Sequence, residues 1–97
     1  MKLGIVLSTR DDLHHAAALA VAAREARHAV AMFVMDAGCA AIAAAPAVAM
    51  HLLDADVEIT ACSNSAVGIE LVDGITRGSQ DDHAAVVGTS HRLVAFT

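Results

Sequence analysis

Short, mostly apolar runs recur along this chain and alternate with longer alanine-rich stretches. Residues 3–7, 30–35 and 57–61 form such runs. A continuous apolar run of this length is typical of a strand that is covered on both faces, as in a parallel sheet. A last strand is predicted over Arg92–Phe96, and residues 74–78 form either a short strand or a loop.

The stretches between these runs carry helix signals. Ser8 or Thr9 can cap a first helix that extends to about His28, and Asp12 stands three residues after Thr9, as in a capping box. Three more helices are predicted over residues 39–53, 62–71 and about 80–88. Pro46 is expected to kink or split the first of these three.

Strands that alternate with helices from end to end indicate an α/β fold. We expect a three-layer α/β/α sandwich with a mostly parallel sheet of about five strands. Neither a linker nor an internal repeat is visible, so residues 1–97 are expected to form a single domain.

The apolar content is high but consists largely of alanine. Hydrophobic residues make up 57% of the chain and aromatic residues 2%, with no Trp or Tyr. Alanine buries little area, and a small domain gains little from its core, so we expect subunit contacts in a homo-oligomer to supply further burial.

The charge and hydropathy exclude several partners. A net charge of −5 with six Lys and Arg residues argues against nucleic acid, which is bound through basic side chains. Residues 37–53 are expected to be too weakly hydrophobic to span a membrane, and the start of the chain lacks a signal-peptide pattern. A cytoplasmic location is therefore expected.

Four segments together carry a resemblance to a known family. They are residues 2–8 before an Ala-rich helix, 30–33 leading into Asp36-Ala37-Gly38, 57–62 with its terminal cysteine, and 78–82 followed by 92–96. In this order and spacing the chain resembles the DsrE/DsrF-like family of small sulfur-relay proteins. The resemblance implies a cytoplasmic, usually oligomeric domain that carries sulfur as a persulfide on the cysteine after the third strand.

That cysteine corresponds to Cys62 in this sequence. The chain departs from the family after it, because Ile69-Glu70 stands where active members often have a basic Arg-Gly pair. A negative charge in place of a positive one near the thiol bears on the activity and not on the fold.

Cys62 is also the leading candidate on the residues alone. At the end of a strand and the start of a helix, backbone N–H groups favour the nucleophilic thiolate. Ser63, Asn64 and Ser65 would supply hydrogen-bond donors. The alternative is a buried cysteine that acts as a small hydrophobic residue.

Other candidates are expected on the same rim. Cys39 and Gly38 follow the second strand, and Cys39 either exchanges sulfur with Cys62 or is an unrelated thiol, which we favour because disulfide geometry is demanding. Ser8 follows the first strand, where it either helps to bind an anion or simply caps the helix.

Neither a metal nor a cofactor is predicted. The six histidines form no close ligand pairs, and no dinucleotide or phosphate-loop fingerprint follows a strand.

Three functions remain open at this point. The first is a sulfur relay through Cys62, with sulfur donor and acceptor proteins as partners. The second is a non-catalytic structural or regulatory subunit of the same fold. The third is a small-ligand binding domain that uses the rim around Ser8, Gly38 and Cys62.

Overall fold

A computed structural model describes the whole chain from Met1 to Thr97. The elements in chain order are β1 (Lys2–Leu7), α1 (Leu13–Glu25), β2 (Ala29–Val34), α2 (Ala37–Ala43), α3 (Pro46–Asp54), β3 (Glu58–Cys62), β4 (Thr76–Gly78), α4 (Gln80–Thr89) and β5 (Arg92–Phe96). The strands form one sheet in the order β4-β3-β2-β1-β5. Every pair is parallel, which confirms the α/β class and the five-stranded sheet.

The order of the strands determines which face of the sheet each connection covers. From β1 to β4 the chain steps one way across the sheet, and from β4 it returns to β5 at the opposite edge. Right-handed crossovers made in opposite directions lie on opposite faces. Accordingly α1, α2, α3 and residues 66–75 pack with the larger hydrophobic cluster, whereas α4 packs with a smaller cluster on the other face.

Alanine allows the close helix packing in the larger cluster. Ala16 and Ala20 of α1 and Ala49 of α3 are fully buried there. The bulk of the core comes instead from the central strands, in which Ile5, Leu7 and Met32 face this layer. The apolar runs of the sequence are therefore the buried strands.

The first helix is shorter than predicted. The Thr9 hydroxyl donates to the Asp12 carboxylate over 2.6 Å, but Asp12 is itself the N-cap and makes no side-chain capping bond. The predicted Thr9–Asp12 capping box is therefore wrong, and α1 begins at Leu13. It ends at Glu25 because Arg27 adopts a positive φ of 67°, which terminates the helical path.

Pro46 splits the second predicted helix into two. The proline occupies the first turn of α3, where its missing N–H costs nothing. No single helix has the length and apolarity to cross a membrane, but α2 and α3 together, bent by 88° at their break, do reach that length and composition. The expectation that this stretch is too weakly hydrophobic is wrong on composition.

The helix predicted over residues 62–71 is absent. Cys62 is the last residue of β3, and the chain continues in turns, with positive φ at Gly68 and Gly74. The guanidinium of Arg77 instead fixes this segment by donating to the carbonyl oxygens of Ala66 and Ile69. These long-range bonds replace the backbone bonds of a helix.

The last helix agrees with the sequence. Ser79 and Asp82 form the expected capping box: the Ser79 hydroxyl accepts from the backbone of the first turn, and the Asp82 carboxylate accepts from the Ser79 N–H over 2.7 Å. This box fixes where α4 starts, and its first turn contributes to the candidate site.

Candidate functional site

The strands β3 and β4 end side by side at the carboxyl edge of the sheet. Cys62 and Gly78 are partners in the register of the two strands, and the Ser63 N–H donates to the Gly78 carbonyl over 2.8 Å. Beyond this point the two chains diverge, residues 66–75 to one face of the sheet and α4 to the other. Ligands of open α/β sheets bind at such a divergence, outside the carboxyl ends of the strands. We call it the switch crevice.

Gly78 lets the first turn of α4 approach the crevice closely. A Cβ at this position would collide with the Asp82 carboxylate and the Thr60 methyl group. Glycine at this position leaves room for the Asp82 carboxylate, which caps α4, to lie against β4.

The Cys62 side chain lies on the α4 face of the sheet. It packs with Ala31, Phe33 and Val86, and the residue is 4% exposed. It is thus largely buried, at the end of a strand where its environment is polar on one side.

The residues of the following turn, together with Gln80, lower the pKa of Cys62. The backbone N–H of Ser65 lowers the pKa of Cys62 most, followed by the Ser65 hydroxyl; the backbone N–H of Asn64 and the Gln80 amide contribute as well. Burial raises the pKa of Cys62, but by less than these groups lower it. Ser65 and Asn64 lie in a turn rather than in the predicted helix, and their role as donors to the sulfur stays a prediction, whereas Ser63 is exposed and bonds Gly78 through its backbone.

Two residues of α4 complete this environment. Gln80 Nε2 lies 3.7 Å from the Cys62 sulfur, and Gln80 Oε1 lies 3.1 Å from His83 Nδ1. The His83 ring stacks on Phe33 with 5.0 Å between centroids. Neither Gln80 nor His83 was expected at the site.

Cys39 is placed differently from Cys62. It is fully buried in the larger cluster, and its S–H donates to the Val34 carbonyl over 3.5 Å. Burial raises the pKa of Cys39, and the nearby Cys62 raises it further. The two thiols are free rather than bonded to each other. The pKa of Cys39 is thus shifted upward and that of Cys62 downward from the same ordinary value.

Gly38 and Ser8 have structural positions on the rim. A Cβ at Gly38 would collide with the Leu7 carbonyl, so glycine allows α2 to start against the end of β1. The Ser8 hydroxyl and N–H both donate to the Phe96 carbonyl, which ties β1 to β5. Neither residue touches the Cys62 donors.

The surface cavities lie away from the rim. The largest, about 560 Å³, runs between α1 and α3 and is bounded by His14 and His51. No cavity is lined by Ser8, Gly38 or Cys62. No group of three or more His, Cys, Asp or Glu side chains is arranged to hold a metal ion.

The charges near the site differ from those expected. Glu70 lies beside Ala43 and Pro46 at the break between α2 and α3. Arg77 in β4 carries a positive charge on the face of the sheet opposite the Cys62 side chain, where its guanidinium donates to the carbonyls of Ala66 and Ile69. The Arg77-Gly78 sequence was the available signal for this cation, but it could be placed only once β4 was known to pair with β3.

A comparison with models of known protein families gives no match, and no curated protein matches the chain. The residues of the switch crevice are therefore what indicates the function.

Proposed function

We propose that this protein is a sulfur relay of the DsrE/DsrF-like kind, which carries sulfane sulfur as a persulfide on Cys62. The observation that carries the proposal is the position of Cys62 at the switch crevice, where Gln80 Nε2 lies 3.7 Å from its sulfur and the turn that holds Ser65 and Asn64 lowers the pKa of the thiol. A thiolate is the nucleophile in such chemistry, and donors that stabilise it also suit the terminal sulfur of a persulfide.

Two exchange steps describe the relay. In loading, the Cys62 thiolate attacks the outer sulfur of a donor protein's persulfide, a sulfur–sulfur bond forms on Cys62, and the donor cysteine leaves as a thiolate. In unloading, an acceptor thiolate attacks the outer sulfur on Cys62, and the Cys62 thiolate leaves. Each step breaks one sulfur–sulfur bond and forms another, so no outside oxidant is needed.

The low exposure of Cys62 requires a local opening for each step. Gln80 is exposed and lies against the sulfur, so rotation of this one side chain opens a path from solvent. The turns after Cys62 contain exposed Ser63 and Asn64, which provide a second mobile edge. A cytoplasmic location fits this mechanism, because that compartment keeps both thiols reduced.

Intact mass after incubation with a low-molecular-weight persulfide tests the proposal. We expect wild type and Cys39→Ser to gain one sulfur mass that a reductant removes, and Cys62→Ser to gain none. An adduct that persists in Cys62→Ser, or no adduct on folded wild type, would overturn the proposal. Cys39→Ser is the matched control, since both variants change one buried thiol to a hydroxyl.

One observation favours a second candidate, a non-catalytic subunit of the same fold. Cys62 is packed against Phe33 and Val86, as a purely structural cysteine would be. In that case Cys62→Ser would leave assembly and cellular function unchanged.

A further inference from the structure

The side chain of Gln80 joins two groups that can exchange protons. Its amide lies between the sulfur of Cys62 and ring atom Nδ1 of His83, at 3.7 Å and 3.1 Å. The two contacts use opposite ends of one carboxamide, of which the nitrogen only donates and the oxygen only accepts. If the amide nitrogen donates to one of the two groups, the amide oxygen must therefore accept a hydrogen bond from the other.

The rest of the arrangement holds this geometry in place. The capping box at Ser79 fixes the first turn of α4, and Gln80 and His83 are three residues apart on it, so both lie on the same side of the helix. Stacking on Phe33, at 23° between the planes, restricts rotation of the His83 ring. The stacking thus limits how far the His83 ring can turn away from the Gln80 amide.

We propose that Gln80 couples the ionisation of Cys62 to the tautomer of His83, which makes His83 a positioning residue for the thiolate. With Cys62 ionised, Nε2 donates to sulfur and Oε1 accepts from Nδ1–H of His83. With Cys62 protonated, the amide turns over, S–H donates to Oε1, Nε2 donates to an unprotonated Nδ1, and the ring carries its proton on Nε2.

Protons balance in this exchange. The thiol releases one proton to solvent, and the neutral imidazole moves one proton between its nitrogens through solvent. The charged side chains around the crevice have other partners or lie beside Cys39: Asp82 accepts from Ser79, Arg77 bonds carbonyl oxygens of the following turns, and Asp36 acts on Cys39. None of them replaces Gln80 between the sulfur and the ring.

The inference deepens the proposed function and rests on it for the role of Cys62 as the reacting thiol. Its test, however, needs no sulfur transfer. Because the chain has no Trp or Tyr, the ultraviolet absorbance of a thiolate is measured against a low background. The titrations use a Cys39→Ser background, in which Cys62 is the only thiol.

Two substitutions distinguish the effect of the Gln80 amide on the Cys62 thiolate from the effect of the His83 ring. We expect Gln80→Leu to lower the thiolate fraction at neutral pH roughly threefold to tenfold, because it removes a donor to a charged acceptor. His83→Phe keeps an aromatic ring stacked on Phe33 but removes Nδ1. We expect it to lower the thiolate fraction as well, by a smaller factor than Gln80→Leu does. His91→Phe is the control, because His91 lies just before β5, at the opposite edge of the sheet from Cys62. In this variant the Cys62 thiol should titrate as in the parent protein.

Nitrogen chemical shifts of the histidine rings give the second readout, which a merely structural role would not move. In the thiolate form His83 should carry its proton on Nδ1, and in Cys62→Ser, whose uncharged hydroxyl donates to Gln80 Oε1 in place of the S–H, the proton should move to Nε2. His91 is an internal reference, because its Nδ1 accepts from the Lys2 N–H over 2.9 Å whatever the state of Cys62. An unchanged His83 tautomer, or a folded Gln80→Leu that titrates like its parent, would overturn the inference.

The outcomes distinguish the two proposals. Coupling without persulfide formation leaves the Gln80 inference standing and removes the sulfur relay. A persulfide on Cys62 without coupling leaves the relay standing and reduces Gln80 to a surface residue that covers the thiol.

Discussion

Cys39 and Cys62 show how a single residue type acquires opposite properties from its surroundings. The N–H and the hydroxyl of Ser65 lower the pKa of Cys62 at a strand end, whereas Cys39 is enclosed by apolar side chains and donates its own proton to a carbonyl. Donors favour the thiolate and burial disfavours it. The difference between the two thiols is therefore a property of their positions in the fold.

This contrast predicts how stability depends on pH. The pKa of Cys62 is lowered from its ordinary value of 9.0, so its stabilising contribution appears as pH rises through the folded-state pKa, is complete above 9.0, and is lost as pH falls. The pKa of Cys39 is raised above 9.0, so its contribution is complete below that pH and is lost as pH rises through the higher folded-state value.

Urea unfolding under reducing conditions, from neutral to alkaline pH, measures both effects. Relative to wild type, we expect the stability deficit of Cys62→Ser to grow as pH rises towards 9.0 and that of Cys39→Ser to shrink above it. If the stability deficits do not change with pH, the pKa of each thiol is the same in the folded and the unfolded state, which would contradict the prediction.

At the scale of elements, helix α4 determines the candidate site. It is the element that returns the chain across the sheet, and its first turn places Gln80 and His83 beside Cys62. The helix is largely exposed and buries Val86 alone, so its stability depends on its ends more than on its packing.

We therefore expect Ser79→Ala to lower the free energy of unfolding by about 1 kcal/mol, the usual cost of a lost helix N-cap. Urea denaturation measures this, and hydrogen exchange should show faster opening in α4 than in β1 or β2. Ser63→Ala is the matched control, because Ser63 is exposed and uses only its backbone in the crevice. Equal losses in both variants would contradict a dominant role for the cap.

The sequence allows the strands and α4 to be predicted because their signals are local. Apolar runs mark buried strands, and the Ser79–Asp82 spacing marks a helix start. The turns after Cys62 could not be predicted in this way, since Ser63 to Ser65 look like a helix cap and the bonds from Arg77 that fix the segment come from another strand.

The residues of the candidate site also fall into a group that is close in sequence and a group that is not. Cys62 and Ser65 are close in sequence, so their association was predictable. The contact of Cys62 with Gln80 depends on β4 pairing with β3 and on α4 leaving towards the opposite face, and no local pattern encodes that order. Residues brought together by topology were the ones missed.

At the scale of the whole molecule, the two faces of the sheet are unequally covered. Three helices and the turns of residues 66–75 lie on one face, whereas α4 alone lies on the other. Leu93 of β5 and Val87 of α4 remain 43% exposed, and β5 is an edge strand. The total exposed surface of 5171 Å² is nonetheless close to the roughly 5,200 Å² expected for a compact monomer of this mass.

We expect copies of the chain to associate through the thinly covered face, because an unpaired edge strand beside exposed apolar side chains favours pairing with another chain. Light scattering should then give a mass that is a multiple of 9.9 kDa.

Leu93→Lys and Val87→Lys should each shift the protein towards monomer, because a charge buried without a partner opposes association. Val67→Lys, at a position that is 77% exposed in the turns after Cys62, should not. A monomeric mass for wild type at high concentration would mean that a single α4 covers its face sufficiently. Dissociation by Val67→Lys alone would place the contact on the crevice side, where it would shield Cys62 from its sulfur donor.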